Sequence, residues 1–221
     1  MVILHFIAAG GFMMYPLLLV SLAAGFVIVE RLLAFKTLGH LAPGLLAATI
    51  VHCRAGRYEQ ALAACQARPG PLAACLAVIL THRQQPVATV ERWVEETGQE
   101  YFVRLERYLP VLDTSTTISP LLGLLGTIVG MIGAFNAISA QQSRGNSDAV
   151  LHGIAEALYA TATGITIAVI CFIAYNYFAS RLRTITAETE MAATKLLNIL
   201  SDVQHKETEH AVQTAARAEA H

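Results

Sequence analysis

The chain has 221 residues, of which 55% are hydrophobic and 14% charged, with a formal net charge of −1. Soluble domains carry about 25% charged residues. The deficit here falls in three long runs almost free of charge, which points to an integral membrane protein. A near-neutral chain lacks the basic surface that nucleic-acid binding requires. No Ser/His/Asp set, Gly-rich phosphate loop or metal cluster suggests an enzyme or a cofactor.

Residues 1–29 carry no charged side chain. Gly10 and Gly11 break this run, and Tyr15-Pro16 follows. Proline is tolerated in a helix's first turn because its missing N–H has no intrahelical partner there. The pattern predicts an interfacial segment over 1–13 and a first spanning helix over 14–33. A signal peptide is the competing assignment, but Glu30, Arg31 and Lys36 follow the apolar run instead of preceding it.

Residues 34–112 form a polar block holding most of the basic groups. Apolar positions such as Leu41, Leu45 and Leu46 recur at helical spacing. Breakers at Pro43-Gly44, Gly56, Pro69-Gly70-Pro71 and Pro86 divide the block into helices near 41–54, 58–67, 71–83 and 87–112. Acids and bases from Glu91 to Arg107 alternate as on a solvated helix face with i,i+4 pairs. Cys53, Cys65 and Cys75 lack CxxC spacing, and His52–Cys53 has no second ligand pair at finger spacing, so no metal site is expected.

The second charge-free run gives a spanning helix over 113–140. Gly123, Gly126, Gly130 and Gly133 alternate spacings of three and four along it. In lipid, small residues let helix backbones approach closely. This stripe therefore serves helix packing, either within one subunit or between subunits. Thr127 is the hydroxyl in the central part of the run.

A short loop is expected over 141–148 and a third spanning helix over 149–180. No formal charge appears between Glu156 and Arg181. A carboxyl at this depth costs roughly 2.5–3.5 kcal/mol at the bilayer centre and less near the interface, so it is a functional-site candidate by default. Snorkelling to the surface, or protonation in a packed interface, is the plainer alternative. On a helical wheel Thr163 lies about 20° from Glu156 and Ala160 about 40°, whereas Thr161 lies about 140° round. Glu156, Thr163 and Thr127 could order water and pass a proton; each threonine could equally bond back to its own helix. Past Ile167 the Glu156 face is apolar down to Arg181, so one chain supplies no continuous path. The segment 181–221 reads as a helical tail, with Met191, Leu196, Leu197, Ile199 and Leu200 as its apolar positions.

Lys and Arg crowd after the first span, before the second and after the third, while the loop between spans two and three carries only Arg144. The positive-inside rule then sets the N-terminus and short loop outside, and the polar block and tail in the cytoplasm.

The segments SPLLGLLGTIVGMIGAF at 119–135, GIAEALYATATG at 153–164 and AYN at 174–176 carry a resemblance. With them, nearly the whole chain resembles the ExbB/TolQ proton-channel family, which is related to the MotA stator proteins. The opening at 10–35, with Gly-Gly, Tyr-Pro and Glu-Arg-Leu, looks more like the ExbB branch. The resemblance implies an all-α, three-span, pentameric channel of the bacterial inner membrane with long cytoplasmic helical extensions. It implies an ExbD-like single-span partner, whose aspartate would complete the proton path, and a TonB-like protein that the proton flow energises. By position, Glu156 matches the family's pore glutamate, and Thr127 and Thr161 match its threonines on the second and third helices. Thr163 departs from the pattern, since relatives commonly carry an apolar residue there. A TolQ-type subunit and a non-conducting membrane scaffold are the alternatives. A MotA-type stator fits less well, because those chains have four spans and a larger cytosolic block.

Overall fold

The computed structural model describes residues 10–39, 44–140 and 147–219; for 137–140, 147–149 and 203–219 it describes the backbone alone. Most of the expected 1–13 segment and of the 141–148 loop therefore lie outside the described residues. The protein is an all-α membrane protein, and the described residues contain three helices long and apolar enough to cross a bilayer.

The helices are α1 (Met14–Thr37), α2 (Leu45–Arg54), α3 (Tyr58–Gln66), α4 (Pro71–Thr81), α5 (Val87–Glu106), α6 (Leu109–Ala140) and α7 (Ser147–Glu219). They form two units. One contains Met1–Leu32 and Tyr108–Ala179, the other Leu33–Arg107 and Ser180–His221.

The second unit is built on short amphipathic helices with sharp stops. α2 ends at Gly56, whose φ of +68° suits glycine. There the Gly56 N–H bonds Cys53 O at 3.1 Å and the Arg57 N–H bonds His52 O at 2.9 Å. This paired arrangement closes the free carbonyls of the last turn. α4 opens on Pro71 in its first turn, where the absent N–H is not missed. A single apolar cluster joins Leu45, Leu72, Leu76, Ile79 and Leu80 to Ala192, Leu196, Leu197 and Leu200 of α7. The expected apolar position Met191 does not join it and is 65% exposed. Glu100 and Arg104 pair at 2.5 Å on the exposed face of α5, a geometry that contributes a few tenths of a kcal/mol.

The break between α5 and α6 differs from the expected continuous helix over 87–112. α5 ends at Glu106, and α6 starts at Leu109, one residue before Pro110. Proline cannot donate an N–H to a helix arriving from behind, and its ring crowds the carbonyl one turn earlier, that of Glu106. It is at home in the first turn of a new helix. Further along α6, Pro120 sits inside the helix and removes the N–H that would otherwise bond the Thr116 carbonyl.

In the first unit, Leu17, Ala24, Leu109, Leu112, Ala134, Ala157, Ala160, Ile167, Cys171 and Phe178 are buried. Large side chains at Leu19, Leu22, Phe26, Leu121, Leu124, Ile128, Ile132, Phe135, Leu158, Val169 and Phe172 are exposed. So much uncovered apolar surface on helices of spanning length suits contact with lipid or other membrane helices.

The second unit also holds three buried free thiols, Cys53, Cys65 and Cys75. Burial pushes the Cys75 thiol up from the ordinary 9.0 to about 11. It raises Cys53 too, with the nearby Cys65 adding to the effect, and raises Cys65 against an opposing hydrogen bond from Thr49. A raised folded pKa means the folded state holds the proton more tightly than the unfolded chain does. The stabilisation from Cys75 is thus complete below pH 9.0 and is lost as pH climbs towards about 11. Thermal melts of the full chain should show this contribution flat up to pH 9.0 and falling above it. The fall should be shallower in Cys75→Ala.

Candidate functional site

The site is organised by the approach of α6 to α7. A Cβ built on Gly123 would lie 3.0 Å from the Thr161 Cα and 3.1 Å from the Ala160 carbonyl. One on Gly130 would lie 3.0 Å from both Ala157 Cβ and the Gly153 carbonyl. From the other side, a Cβ on Gly153 would lie 3.0 Å from Ala134 Cβ, and one on Gly164 would collide with the Ser119 carbonyl. The contacts run in opposite chain order, so the two helices are antiparallel, and they touch backbone to backbone. Small residues permit such contact where larger ones hold helices 8–10 Å apart.

The predicted glycine stripe divides on inspection. Gly123 and Gly130 face α7 with Ala134. Gly126 lies on the flank, where its Cβ would come 2.5 Å from Ala160 Cβ and 3.3 Å from Met13 Cβ. Among the described residues, nothing lies within 4 Å of a Cβ built on Gly133. At 100° per residue, Gly133 is rotated about 80° from Gly123 while Ala134 is only about 20° away.

The threonines also divide. Thr161 donates across the helix pair to the Gly123 carbonyl at 3.0 Å, the kind of bond that contributes about 0.6–2 kcal/mol between membrane helices. Thr127 donates to Leu124 O and Thr163 to Tyr159 O, both at 2.7 Å. These are bonds within one helix, which satisfy the hydroxyl hydrogen and leave its oxygen able to accept. Among the described residues no hydrogen bond joins Glu156 to any of the three threonines.

Glu156 is half-buried. It is followed by Ala157 and Ala160, the residues that meet Gly130 and Gly126. Its carboxyl turns to the segment before α1: a Cβ on Gly11 would fall 1.3 Å from Glu156 Oε1. The structure thus brings Glu156 to Gly11, and Thr161 to Gly123, and leaves Thr127 and Thr163 on their own helices.

Two residues gain importance beyond the sequence analysis. Gly11 is more than a breaker: two glycines before Tyr15-Pro16 signal a backbone that something approaches closely. Arg31 is more than a marker of orientation, being 2% exposed. Its Nε and a terminal nitrogen reach the two carboxylate oxygens of Glu30 at 2.5 and 2.6 Å, and its guanidinium lies 5.1 Å from the centre of the Tyr108 ring. Pairing and ring stacking offset the cost of burying this cation.

The described helices, three of them long and apolar enough to cross a bilayer, define an all-α membrane protein, with Glu156 beside its antiparallel α6–α7 pair. Residues 68–191 match the MotA/TolQ/ExbB proton channel family, and the chain belongs to that family. It is similar to the biopolymer transport protein ExbB of Pseudomonas putida, at 36% identity over 102 residues, covering 46% of this chain and 31% of the relative. It is similar to ExbB of Salmonella typhimurium at 37% over 112 residues, 51% of this chain and 44% of that one. The Tol-Pal system protein TolQ of Pseudomonas aeruginosa is 42% identical over 106 residues, 45% of this chain and 46% of the relative. The matches thus cover under half the length of these curated relatives. The motifs at 119–135, 153–164 and 174–176 all fall inside the family match, and the ExbB-like opening at 10–35 falls outside it.

The packing predicts a contrast. Gly164→Ala drives a Cβ into the Ser119 carbonyl and should destabilise by about 1–3 kcal/mol. Gly133→Ala meets no described neighbour and removes glycine's helix penalty, so it should be neutral or stabilise by up to about 1 kcal/mol. Thermal unfolding in detergent or in bilayers reads both.

Proposed function

We propose that this chain is an ExbB-type subunit of a proton-driven motor in the bacterial inner membrane. With an ExbD-like single-span partner, it couples the proton motive force to TonB-dependent transport across the outer membrane. The observation that carries this reading is Glu156: a half-buried carboxyl on the flank of the close-packed α6–α7 pair, in a chain of a proton channel family. Ionisable groups in such positions mark ion and proton pathways.

Glu156 has no hydrogen bond or ion pair among the described residues, so its carboxyl is available to water or to a partner's side chain. Thr127, Thr161 and Thr163 each donate to a carbonyl, which leaves oxygens that accept hydrogen bonds from water along the same helix pair. The partner's carboxylate supplies the second acid of the path, beside Thr127, Thr161 and Glu156. The exposed apolar faces of α1, α6 and α7 supply surface for lipid and for neighbouring copies, in a homopentamer by resemblance. The distribution of Lys and Arg orients the subunit with its N-terminus in the periplasm and its C-terminus in the cytoplasm.

A TolQ-type role in the Tol-Pal envelope system is the second reading. It is favoured by the 42% identity to the Pseudomonas aeruginosa protein. Complementation separates the two: receptor-dependent uptake should be restored in a strain lacking ExbB, or envelope integrity in one lacking TolQ.

Glu156→Gln should reduce proton-driven uptake to background while the assembled protein is recovered in normal amounts. Uptake at the parent rate in Glu156→Gln would leave only a non-conducting scaffold.

A further inference from the structure

Three observations converge just before α1. Gly11 has φ +66°, a left-handed conformation that side chains disfavour. A Cβ there would lie 1.3 Å from Glu156 Oε1, 2.1 Å from Cδ and 2.7 Å from Cγ. Two residues on, Met13 rests against Gly126, a residue of α6 that also faces Ala160. The chain over 11–13 is thus seated on the α6–α7 pair at two neighbouring points, one of which is the carboxyl. Met14, which opens α1, is itself buried and folds back under Gly10.

We propose that Gly11 is a positioning residue for Glu156: its bare Cα, in a left-handed turn, forms the wall against which the carboxyl rests, so that the segment before α1 fixes where that acid stands. The wall exists only because position 11 lacks a side chain. A methyl group there would occupy the space now held by a carboxylate oxygen, and the acid would have to swing out or the turn lift away. Every residue involved lies within the unit containing Met1–Leu32 and Tyr108–Ala179. That this contact bears on proton transfer rests on the proposed function; the contact itself does not.

Backbone strain and collision must be separated, because Gly11→Ala introduces both. Thermal stability of the full-length protein in Gly11→Ala, Glu156→Ala and the double variant forms a cycle that isolates the pair. Left-handed strain is the same in both backgrounds, whereas the collision exists only with Glu156 present. Gly11→Ala should therefore destabilise the parent, and Glu156→Ala should restore roughly half or more of that loss. If Gly11→Ala fails to assemble, recovery of assembly in the double variant is the supporting result. An equal loss in both backgrounds, or no loss in the parent, overturns the proposal.

The second measurement follows the acid itself. Labelling of Glu156 by dicyclohexylcarbodiimide, quantified by peptide mass, should be several-fold faster in Gly11→Ala than in the parent. It should be unchanged in Gly56→Ala, where φ is +68° but nothing lies within 4 Å. Equal labelling rates in Gly11→Ala and the parent overturn the proposal. Neither readout requires proton transport, so failure of Glu156→Gln to abolish uptake would remove the proposed function and leave this contact standing.

Discussion

The approach of α6 to α7 is the constraint on which the rest depends. Two helices can touch backbone to backbone only where small residues face each other, or where a glycine on one leaves room for the other. Here Gly123, Gly130 and Ala134 on one helix meet Gly153, Ala157, Thr161 and Gly164 on the other. That contact fixes the rotation of α7 about its axis. Once Ala157 is turned inward to Gly130, Glu156 must lie on the flank and Thr161 must face α6. The acid's exposure and the threonine's bond to the Gly123 carbonyl are consequences of the same packing.

This arrangement also separates the polar groups by role. Thr161 holds two helices together. Thr127 and Thr163 have their hydrogens turned to their own backbones. From the sequence, Thr127 and Thr163 could serve a water path and every threonine could bond to its own helix, because a wheel gives the direction of a residue and not the identity of what it meets. The 140° that separates Thr161 from Glu156 is nevertheless what places the two on different neighbours, one against α6 and the other against the segment before α1.

Much of the fold was legible because bilayers impose long uncharged runs, and because proline and glycine interrupt helices for local steric reasons. The spanning helices and the short helices α2 to α4 follow from those signals. The end of α5 is not legible, since acidic and basic residues continue to alternate through Arg107, and periodicity alone does not register Pro110 as a start. Gly133 shares the spacing of the other glycines but not their rotation about the helix axis. Gly11 and Arg31 were hidden for a different reason: their importance lies in contacts with Glu156 and Tyr108, which are remote in the chain. The family match covers the helix pair and its carboxyl, while the segment before α1 lies beyond it.

Pro120 bears on how deep α6 sits. The Thr116 carbonyl has lost its usual donor one turn ahead, and an unmet carbonyl in hydrocarbon costs several kcal/mol. Thr116 and Thr114 turn their hydroxyls to the carbonyls of Asp113 and Pro110, and Asp113 adds a polar acidic side chain. That end of α6 is therefore suited to the headgroup level, where water reaches the backbone. Counting about 1.5 Å per residue from there, Thr127 lies some 17 Å further along α6.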